Sequence, residues 1–205
     1  MPGPTTTRNY RPNSSPLYTV EKFIAHAKWR PGELRWASPG VGTQPHLAGE
    51  LFKVMTGISM THIAYVGITE HLIGDLIAGR VDAMFDSAGA LLEPIKSHQV
   101  RGLAVTSGRR FPYEPELPTV AESGVPGYDV SSWYALYVPA KTPPEIVDKL
   151  NTDIILMLRE SAVKERLGSL GVLAASSRPE QLAAKNSADA ETWKMLIEVA
   201  NIKTE

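Results

Sequence analysis

The sequence contains no cysteine, and this absence removes several kinds of chemistry at once. The chain has no disulfides, no thiolate metal sites and no cysteine nucleophile. Because proteins of either redox environment can lack disulfides, the compartment stays open on this point.

Excess charge and long apolar segments are missing as well. The formal net charge is -1 without any basic block, so we expect no nucleic-acid partner. No apolar run approaches the roughly 18 residues that a membrane-spanning helix requires. The rest is typical of a globular protein: 205 residues, 43% hydrophobic and 21% charged, enough for one large domain or two small ones.

The first 17 residues are rich in Pro, Thr, Ser and Asn, and they lack the apolar stretch of a signal peptide. We predict that residues 1–17 form an extended or disordered arm. If the protein is exported, we expect its leader to lie outside this sequence.

Helices and strands alternate regularly between residues 18 and 128. After a first helix that begins at Thr19, the predicted strands cover 34–38, 60–65, 81–85 and 101–106, and the helices between them cover 45–56, 70–78 and 87–97. Strands at this spacing require crossover connections, so we expect a mostly parallel sheet with helices on both faces. Residues 18–128 are therefore assigned to one complete α/β domain.

The organisation changes after Gly127. A capping box at Thr119 and Glu122 predicts a short helix just before this point. Beyond it the pattern predicts a long strand over 130–138, helices over 142–158 and 162–169, a short strand over 172–174, and a final helix capped by Ser177 and Glu180.

The most informative segment, residues 38–51, reads S-P-G-V-G-T-Q-P-H-L-A-G-E-L. A short apolar strand enters a loop with two glycines, and a proline-opened amphipathic helix follows. Such a loop presents backbone N–H groups, and the helix adds the positive end of its dipole. The segment therefore predicts an anion-binding site without any cationic side chain.

Two nucleotide-binding motifs are excluded for this loop. G-x-G-x-x-G would need glycine where Pro45 stands, and no G-K-[ST] follows as in a Walker A loop. A site for a carboxylate remains, although a tight turn without any ligand explains the same residues. His46, in the first helical turn, suits packing or capping better than base catalysis.

Further candidates stand at the ends of predicted strands. Asp86 and Ser87 follow one strand, where ligands of open α/β sheets bind, and the same pair suits the N-cap of the next helix. Tyr65 ends another strand and offers a hydroxyl, or it covers the edge of the core. Ser132 and Trp133 begin the strand after the linker, where they line a cleft or pack inside the domain.

Catalytic constellations are not visible. No triad or carboxylate pair appears, and Ser87 is not in a G-x-S-x-G elbow because Phe85 occupies the first glycine position. The five histidines are scattered, without H-E-x-x-H or similar spacing. We therefore expect no enzyme activity, no metal site and no cofactor.

Several segments resemble, in the same order, those of a known family. They are residues 38–51, V-D-A-M-F-D (81–86), R-G-L-A-V-T-S (101–107), L-P-T-V-A-E-S-G-V-P-G-Y (117–128), S-S-W-Y (131–134) and V-P-A-K-T-P (138–143). The chain resembles the receptors of tripartite tricarboxylate transport systems, the Bug or TctC-like periplasmic solute-binding proteins, from about residue 17 to its C-terminus.

The resemblance implies a periplasmic-binding-protein-like fold of type II, with two α/β domains around a cleft. It implies a periplasmic receptor that binds mono-, di- or tricarboxylates through backbone amides and waters and serves membrane transporter subunits. The ligand-binding residues that follow from the resemblance and from the candidates above are Ser38, Gly40, Gly42, Thr43, Gln44, His46, Tyr65, Asp86, Ser87, Ser132 and Trp133.

The sequence departs from the family in two respects. After Tyr65 the family usually has a lysine and glycines, whereas this chain has V-G-I-T-E-H (66–71), which changes the edge of the cleft. Family members also carry the first half of the other domain before this region, so we expect residues 129–205 to be the C-terminal part of an incomplete domain. Because sheet edges and apolar helix faces would stay uncovered, we predict pairing with a second copy or with the missing fragment.

Other functions remain to be weighed. An effector-binding domain of a transcription regulator shares this layout, but it needs a helix-turn-helix segment that the first 17 residues cannot form. A small α/β enzyme needs a nucleophile motif or a carboxylate pair. A gene remnant that folds without function would be recognised from the upstream genomic sequence.

Overall fold

An open sheet flanked by helices is the central feature of the computed structural model, which describes residues 3–9, 17–65 and 69–203. Over these residues the chain forms six strands and seven helices. In chain order they are β1 (Gly3–Asn9), α1 (Val20–Trp29), β2 (Arg35–Ser38), α2 (Gln44–Thr56), β3 (Thr61–Ala64), α3 (Thr69–Ile77), β4 (Ala83–Ser87), α4 (Ala88–Lys96), β5 (Arg101–Val105), β6 (Ser131–Ser132), α5 (Pro144–Met157), α6 (Ser161–Ser169) and α7 (Pro179–Val199).

The sheet has the strand order β3-β2-β4-β1-β5. β2 is parallel to β3 and β4, and β1 runs antiparallel between β4 and β5. The four strands predicted between residues 34 and 106 are thus all present and run in one direction. β1 belongs to the segment for which the sequence indicates only an extended or disordered arm, and residues 10–16 of that segment lie outside the described residues.

Helices cover both faces of the sheet, as predicted. Alternate residues of each strand point to opposite faces, so Trp36 and Phe85 join the core under α1 and α2, while Met84 joins the core under α3 and α4. The first core includes Phe23 of α1 and Phe52 of α2, both almost fully buried. Burial of these apolar surfaces is the main stabilising contribution to the three layers.

The predicted helix ends are confirmed around the first half of the sheet. Thr19 caps α1, because its Oγ1 accepts a hydrogen bond from the N–H of Lys22. Gly57 ends α2 in the left-handed conformation, with φ of 66°, which glycine adopts without a Cβ clash.

Three predicted elements beyond residue 106 differ in the structure. Thr119 and Glu122 form both capping-box hydrogen bonds, but a series of turns follows instead of a helix. Within the described part of the chain, only Ser131–Ser132 of the predicted strand 130–138 is paired, and residues 172–174 form no strand. An alternating pattern favours extended backbone, but a strand also requires a hydrogen-bonding neighbour.

The caps of two late helices also differ from the prediction. α5 begins after Pro143 rather than after Thr142, and α7 begins after Arg178 rather than after Ser177. In α7 the side chain of Gln181 accepts a hydrogen bond from the N–H of Arg178, so the helix start lies one residue further along the chain than expected and lacks an accepting N-cap side chain.

A contiguous apolar face in the C-terminal part is exposed. Tyr134 and Leu136 are 79% and 75% exposed, and among the described residues α5 contains no buried side chain. A groove of about 540 Å³ lies between residues 136–138, α5 and the start of α7. Residues 136–138, α5 and the start of α7 thus form an exposed apolar surface that resembles one half of an apolar core.

Gly49 in α2 lies against the ring of Trp36, and a Cβ at position 49 would overlap that ring. We expect Gly49→Ala to lower the free energy of unfolding by about 1–3 kcal/mol, although alanine favours helices. Gly74→Ala in α3 is the matched control, since a Cβ there meets no atom within 4 Å, and it should stabilise by up to about 1 kcal/mol. Urea unfolding measures both, and equal effects would contradict the packing argument.

Candidate ligand-binding site

The glycine loop joins the carboxyl end of β2 to the start of α2, as the sequence predicts. Gly42 has φ of 77°, in the left-handed region that favours glycine. Thr43 is the N-cap of α2: its Oγ1 accepts from the N–H of His46 at 3.4 Å and donates to the carbonyl of Gly40 at 2.7 Å. The local sequence thus closes the loop by itself and holds it against the helix start.

More of the N–H groups of the loop than expected are engaged in hydrogen bonds within the loop itself. The N–H of Gly42 donates to Nδ1 of His46 at 3.2 Å, that of Thr43 donates to the carbonyl of Gly40 at 3.3 Å, and that of Gly40 contacts Oγ of Ser38 at 3.4 Å. No hydrogen bond within the described residues engages the N–H of Val41. The loop therefore offers fewer free donors than the sequence suggests, and the dipole of α2 carries more of its attraction for an anion.

Two histidines lie beneath this loop, against the buried indole of Trp36. His46 stacks on that ring with centroids 5.8 Å apart and an interplanar angle of 7°, and the centroid of His62 lies 4.3 Å from it. The sequence predicts a packing or capping role for His46, and its buried side chain does both. His62 is not among the predicted site residues, because its approach to Ser38 depends on the register between β2 and β3.

Asp86 and Ser87 end β4, next to the loop-bearing strand β2. The Asp86 side chain is buried, its Oδ1 accepts the N–H of Ser87 at 2.6 Å, and its Oδ2 has no hydrogen-bond partner among the described residues. Burial raises the pKa of this carboxyl, because removal from water disfavours the charged form. Ser87 is the N-cap of α4 and makes no side-chain capping bond, so a second helix start faces this edge of the sheet.

Ser132 lies next to the start of α2, whereas the side chain of Trp133 binds to α7. The hydroxyl of Ser132 donates to the side-chain carbonyl of Gln44, which connects β6 to the first residue of α2. The indole N–H of Trp133 donates to Asp189 of α7 at 2.7 Å. A cavity of about 50 Å³ beside Ser87 and Ser132 is much smaller than the roughly 300–1,000 Å³ of typical ligand pockets.

Tyr65 contacts the loop region with its backbone, whereas its side chain points to α3. Its N–H donates to the carbonyl of Ser38 at 3.0 Å, while its hydroxyl donates to Asp75 of α3. Burial and this hydrogen bond raise the pKa of Tyr65 to about 12. The hydroxyl that the sequence offers to a ligand is therefore already bonded, and the divergent residues 66–68 lie outside the described residues.

In the described part of the chain, no group of three or more histidines and carboxylates is arranged to hold a metal ion. The same residues contain no helix long and apolar enough to cross a bilayer. The site consists of one loop, two helix starts and a buried carboxyl at the carboxyl ends of neighbouring strands. An open α/β sheet with these groups at that edge is characteristic of a domain that binds small molecules.

Comparison with known proteins identifies the family. The model described as "Tripartite tricarboxylate transporter family receptor" matches residues 7–202, and the chain belongs to this family. A relative from Pseudomonas sp. (strain P51), a UPF0065 protein in the tcbD-tcbE intergenic region, is 37% identical over 187 residues, which are 91% of this chain and 55% of the relative.

Two solved structures share the fold. The structure described as R. palustris Rpa4515 with adipate has a TM-score of 0.86 and 33% identity, and the match covers 98% of this chain and 66% of that one. The periplasmic binding protein BugD has a TM-score of 0.80 and 30% identity over 99% of this chain and 68% of its own. The predicted periplasmic-binding-protein-like α/β fold is thus confirmed.

The chain spans about half the length of the curated relatives it matches. It also covers about two thirds of the solved structures. The matched part contains the glycine loop and both helix starts, so this portion of the family fold carries the candidate site described above.

The buried carboxyl of Asp86 gives a pH-dependent prediction. Because its folded-state pKa is raised, the stability linked to its neutral form is complete below the unfolded-state pKa and is lost as pH rises through the folded-state value. Asp86→Asn keeps the acceptor for Ser87, so we expect a melting temperature higher by a few degrees at pH 7, where about 1 kcal/mol corresponds to 2–4 °C. The difference should shrink toward pH 4.

Differential scanning fluorimetry at both pH values measures this effect. Asp148→Asn, on the exposed surface of α5, is the matched control and should change little. A lower melting temperature of Asp86→Asn at pH 7, or a gain that is independent of pH, would show that the ionised carboxyl is well solvated or paired.

Proposed function

We propose that this chain is the ligand-binding part of a solute receptor that binds a small organic carboxylate. The observation that carries the proposal is the pair of helix starts, those of α2 and α4, which follow neighbouring parallel strands β2 and β4 at one edge of the sheet. A carboxylate at this edge gains the favourable ends of two helix dipoles and charge-assisted hydrogen bonds from backbone N–H groups.

Family membership supports an organic anion as the ligand. The name of the family refers to tricarboxylate transport, and the related Rpa4515 structure is described with adipate, a dicarboxylate. The candidate site contains no lysine or arginine among the residues named above, so recognition depends on backbone donors and hydroxyls. Mono-, di- and tricarboxylates are the ligand class that we propose for this chain.

The transport partner and the compartment are part of the same proposal. A receptor of this family would deliver its ligand to membrane subunits of a tripartite transporter, and it would do so in the periplasm. We propose binding without chemical conversion, since the family is one of receptors and the serine in contact with an imidazole at the loop, Ser38 beside His62, is fully buried.

We further propose that a second copy of the chain covers the apolar face formed by residues 136–138, α5 and the start of α7. Ile146 and Leu150 of α5 are 46% and 41% exposed, and Tyr137 is 69% exposed. The groove of about 540 Å³ beside them can receive apolar side chains of a partner. The backbone of residues 133–138, which belongs to no helix or strand in the described part of the chain, offers hydrogen bonds to a partner as well.

The proposed binding function is tested at the loop. Isothermal titration calorimetry with adipate, succinate and citrate should give binding of at least one of these acids. Gly42→Ala forces a side chain into the left-handed region and should weaken that binding about tenfold or more. Gly57→Ala at the other end of α2 has a similar φ of 66° and should cost comparable stability without changing affinity.

The comparison of these two glycine variants separates loop geometry from general destabilisation. Equal affinities of wild type and Gly42→Ala would remove the loop from the site. Absence of binding for all three acids at millimolar concentration would count against carboxylate binding by this chain.

Size-exclusion chromatography with light scattering measures the mass in solution and thereby tests whether a second copy covers this face. We expect a dimer mass, and we expect Leu136→Glu with Leu150→Glu to shift the protein to a monomer, because two charges would be buried in the interface. A wild-type monomer with a cooperative unfolding transition would contradict the proposed dimer, and association only with a different polypeptide would identify another occupant.

A further inference from the structure

The two histidines beneath the loop form a single stacked unit with Trp36. The centroids of the His46 and His62 rings are 4.4 Å apart, and both rings lie against the indole. Trp36 is fully buried, His46 is 4% exposed and His62 is partly buried, so this stack, called the imidazole platform here, extends from the core to the edge of the site.

Each imidazole contacts a different end of the glycine loop. Nε2 of His62 lies 2.8 Å from Oγ of Ser38, where β2 ends. Nδ1 of His46 accepts the N–H of Gly42 at 3.2 Å, just before α2 begins. Because an N–H group can only donate, Nδ1 of His46 must be unprotonated for this bond to exist.

We propose that His46 and His62 are positioning residues that hold the ligand loop in its binding conformation, and that the hold of His46 requires an unprotonated Nδ1. The inference rests on the proposed function for its effect on affinity, but not for its effect on the loop. A proton on Nδ1 of His46 would replace the acceptor of the Gly42 N–H by a second donor, and the loop would have to move away.

The charged groups around the platform are few. Oε1 of Glu50 lies 3.9 Å from Nε2 of His46, and Nζ of Lys53 bonds to both oxygens of Glu50 at 2.8 Å. Burial lowers the pKa of His46, against the attraction of Glu50 and with the repulsion of Lys53. Burial, the neighbouring His46 and Lys53 lower the pKa of His62 to about 4.

These directions define the pH window of the effect. A histidine whose folded-state pKa is lowered contributes full stability above the unfolded-state value of 6.5, and that contribution is lost as pH falls through the folded-state value. Nδ1 of His46 therefore accepts the Gly42 N–H at pH 7, and this anchor of the loop is lost as pH falls through the lowered folded-state pKa of His46.

The experiment compares three variants. His46→Leu removes the acceptor of the Gly42 N–H, while His46→Asn retains a carbonyl oxygen close to the position of Nδ1 and does not titrate. His98→Asn is the matched control, since His98 is exposed at φ of 55°, a conformation that asparagine tolerates well.

The first readout is independent of any ligand. In ¹⁵N NMR hydrogen-exchange measurements, corrected for the intrinsic pH dependence, we expect the Gly42 amide to exchange about tenfold faster in His46→Leu and to stay protected in His46→Asn and His98→Asn. In the wild type, this protection should fall as the ring of His46 takes up a proton. Protection that is unchanged in His46→Leu, or in wild type with a protonated His46, would overturn the proposal.

The second readout is the dissociation constant for adipate by calorimetry at pH 7.5 and at the lower pH at which the NMR titration shows a protonated His46. We expect about tenfold weaker binding at the lower pH for the wild type and a smaller change for His46→Asn. Identical pH profiles of these two proteins would overturn the role in ligand positioning. If no protein binds adipate while the Gly42 amide responds as expected, carboxylate binding fails and the positioning of the loop stands.

If His46→Leu does not fold, as judged by its NMR spectrum, the wild-type titration and His46→Asn decide the question. Gly42 protection in His46→Asn that falls with pH as in the wild type would then contradict the role of His46.

Discussion

The contact between Trp36 and Gly49 determines how closely α2 approaches the sheet, and the rest of the site depends on it. Trp36 is fully buried and packs edge-on against Phe85 of the neighbouring strand, while the missing side chain at position 49 lets the helix lie directly on the indole. Since the helix axis is fixed there, the start of α2 has to lie above the carboxyl end of β2. The glycine loop is the short connection that this packing requires.

The electrostatics of the site follow from the same edge of the sheet. Two helix starts provide positive potential without a cationic side chain, whereas the carboxyl of Asp86 would repel an anion if it were ionised. Burial favours its neutral form, which reduces that repulsion. Removal from water is also the largest cause of the lowered pKa values of His46 and His62, so burial rather than ion pairing controls the charge at this edge.

Local features of the fold could be predicted from the sequence, and long-range contacts could not. The cap at Thr19, the left-handed Gly57 and the loop before α2 depend on residues close in the chain. The approach of His62 to Ser38 depends instead on the register between β2 and β3, which hydrophobic periodicity does not specify. For residues 133–138 the pattern indicates a buried strand, but pairing also depends on a neighbour that the described chain does not supply.

Strand β1 has a consequence for the order in which the sheet is assembled. It is synthesised before the other strands, yet Thr6 pairs with both Asp86 and Val105, which are synthesised much later. Among the described strands, β5 joins the sheet only through β1. The hydrogen bonds of β1 in this sheet can therefore form only after two distant strands are in place. Such non-local pairing is slow, and β2, β3 and β4 can assemble around Trp36 before the last two strands are added.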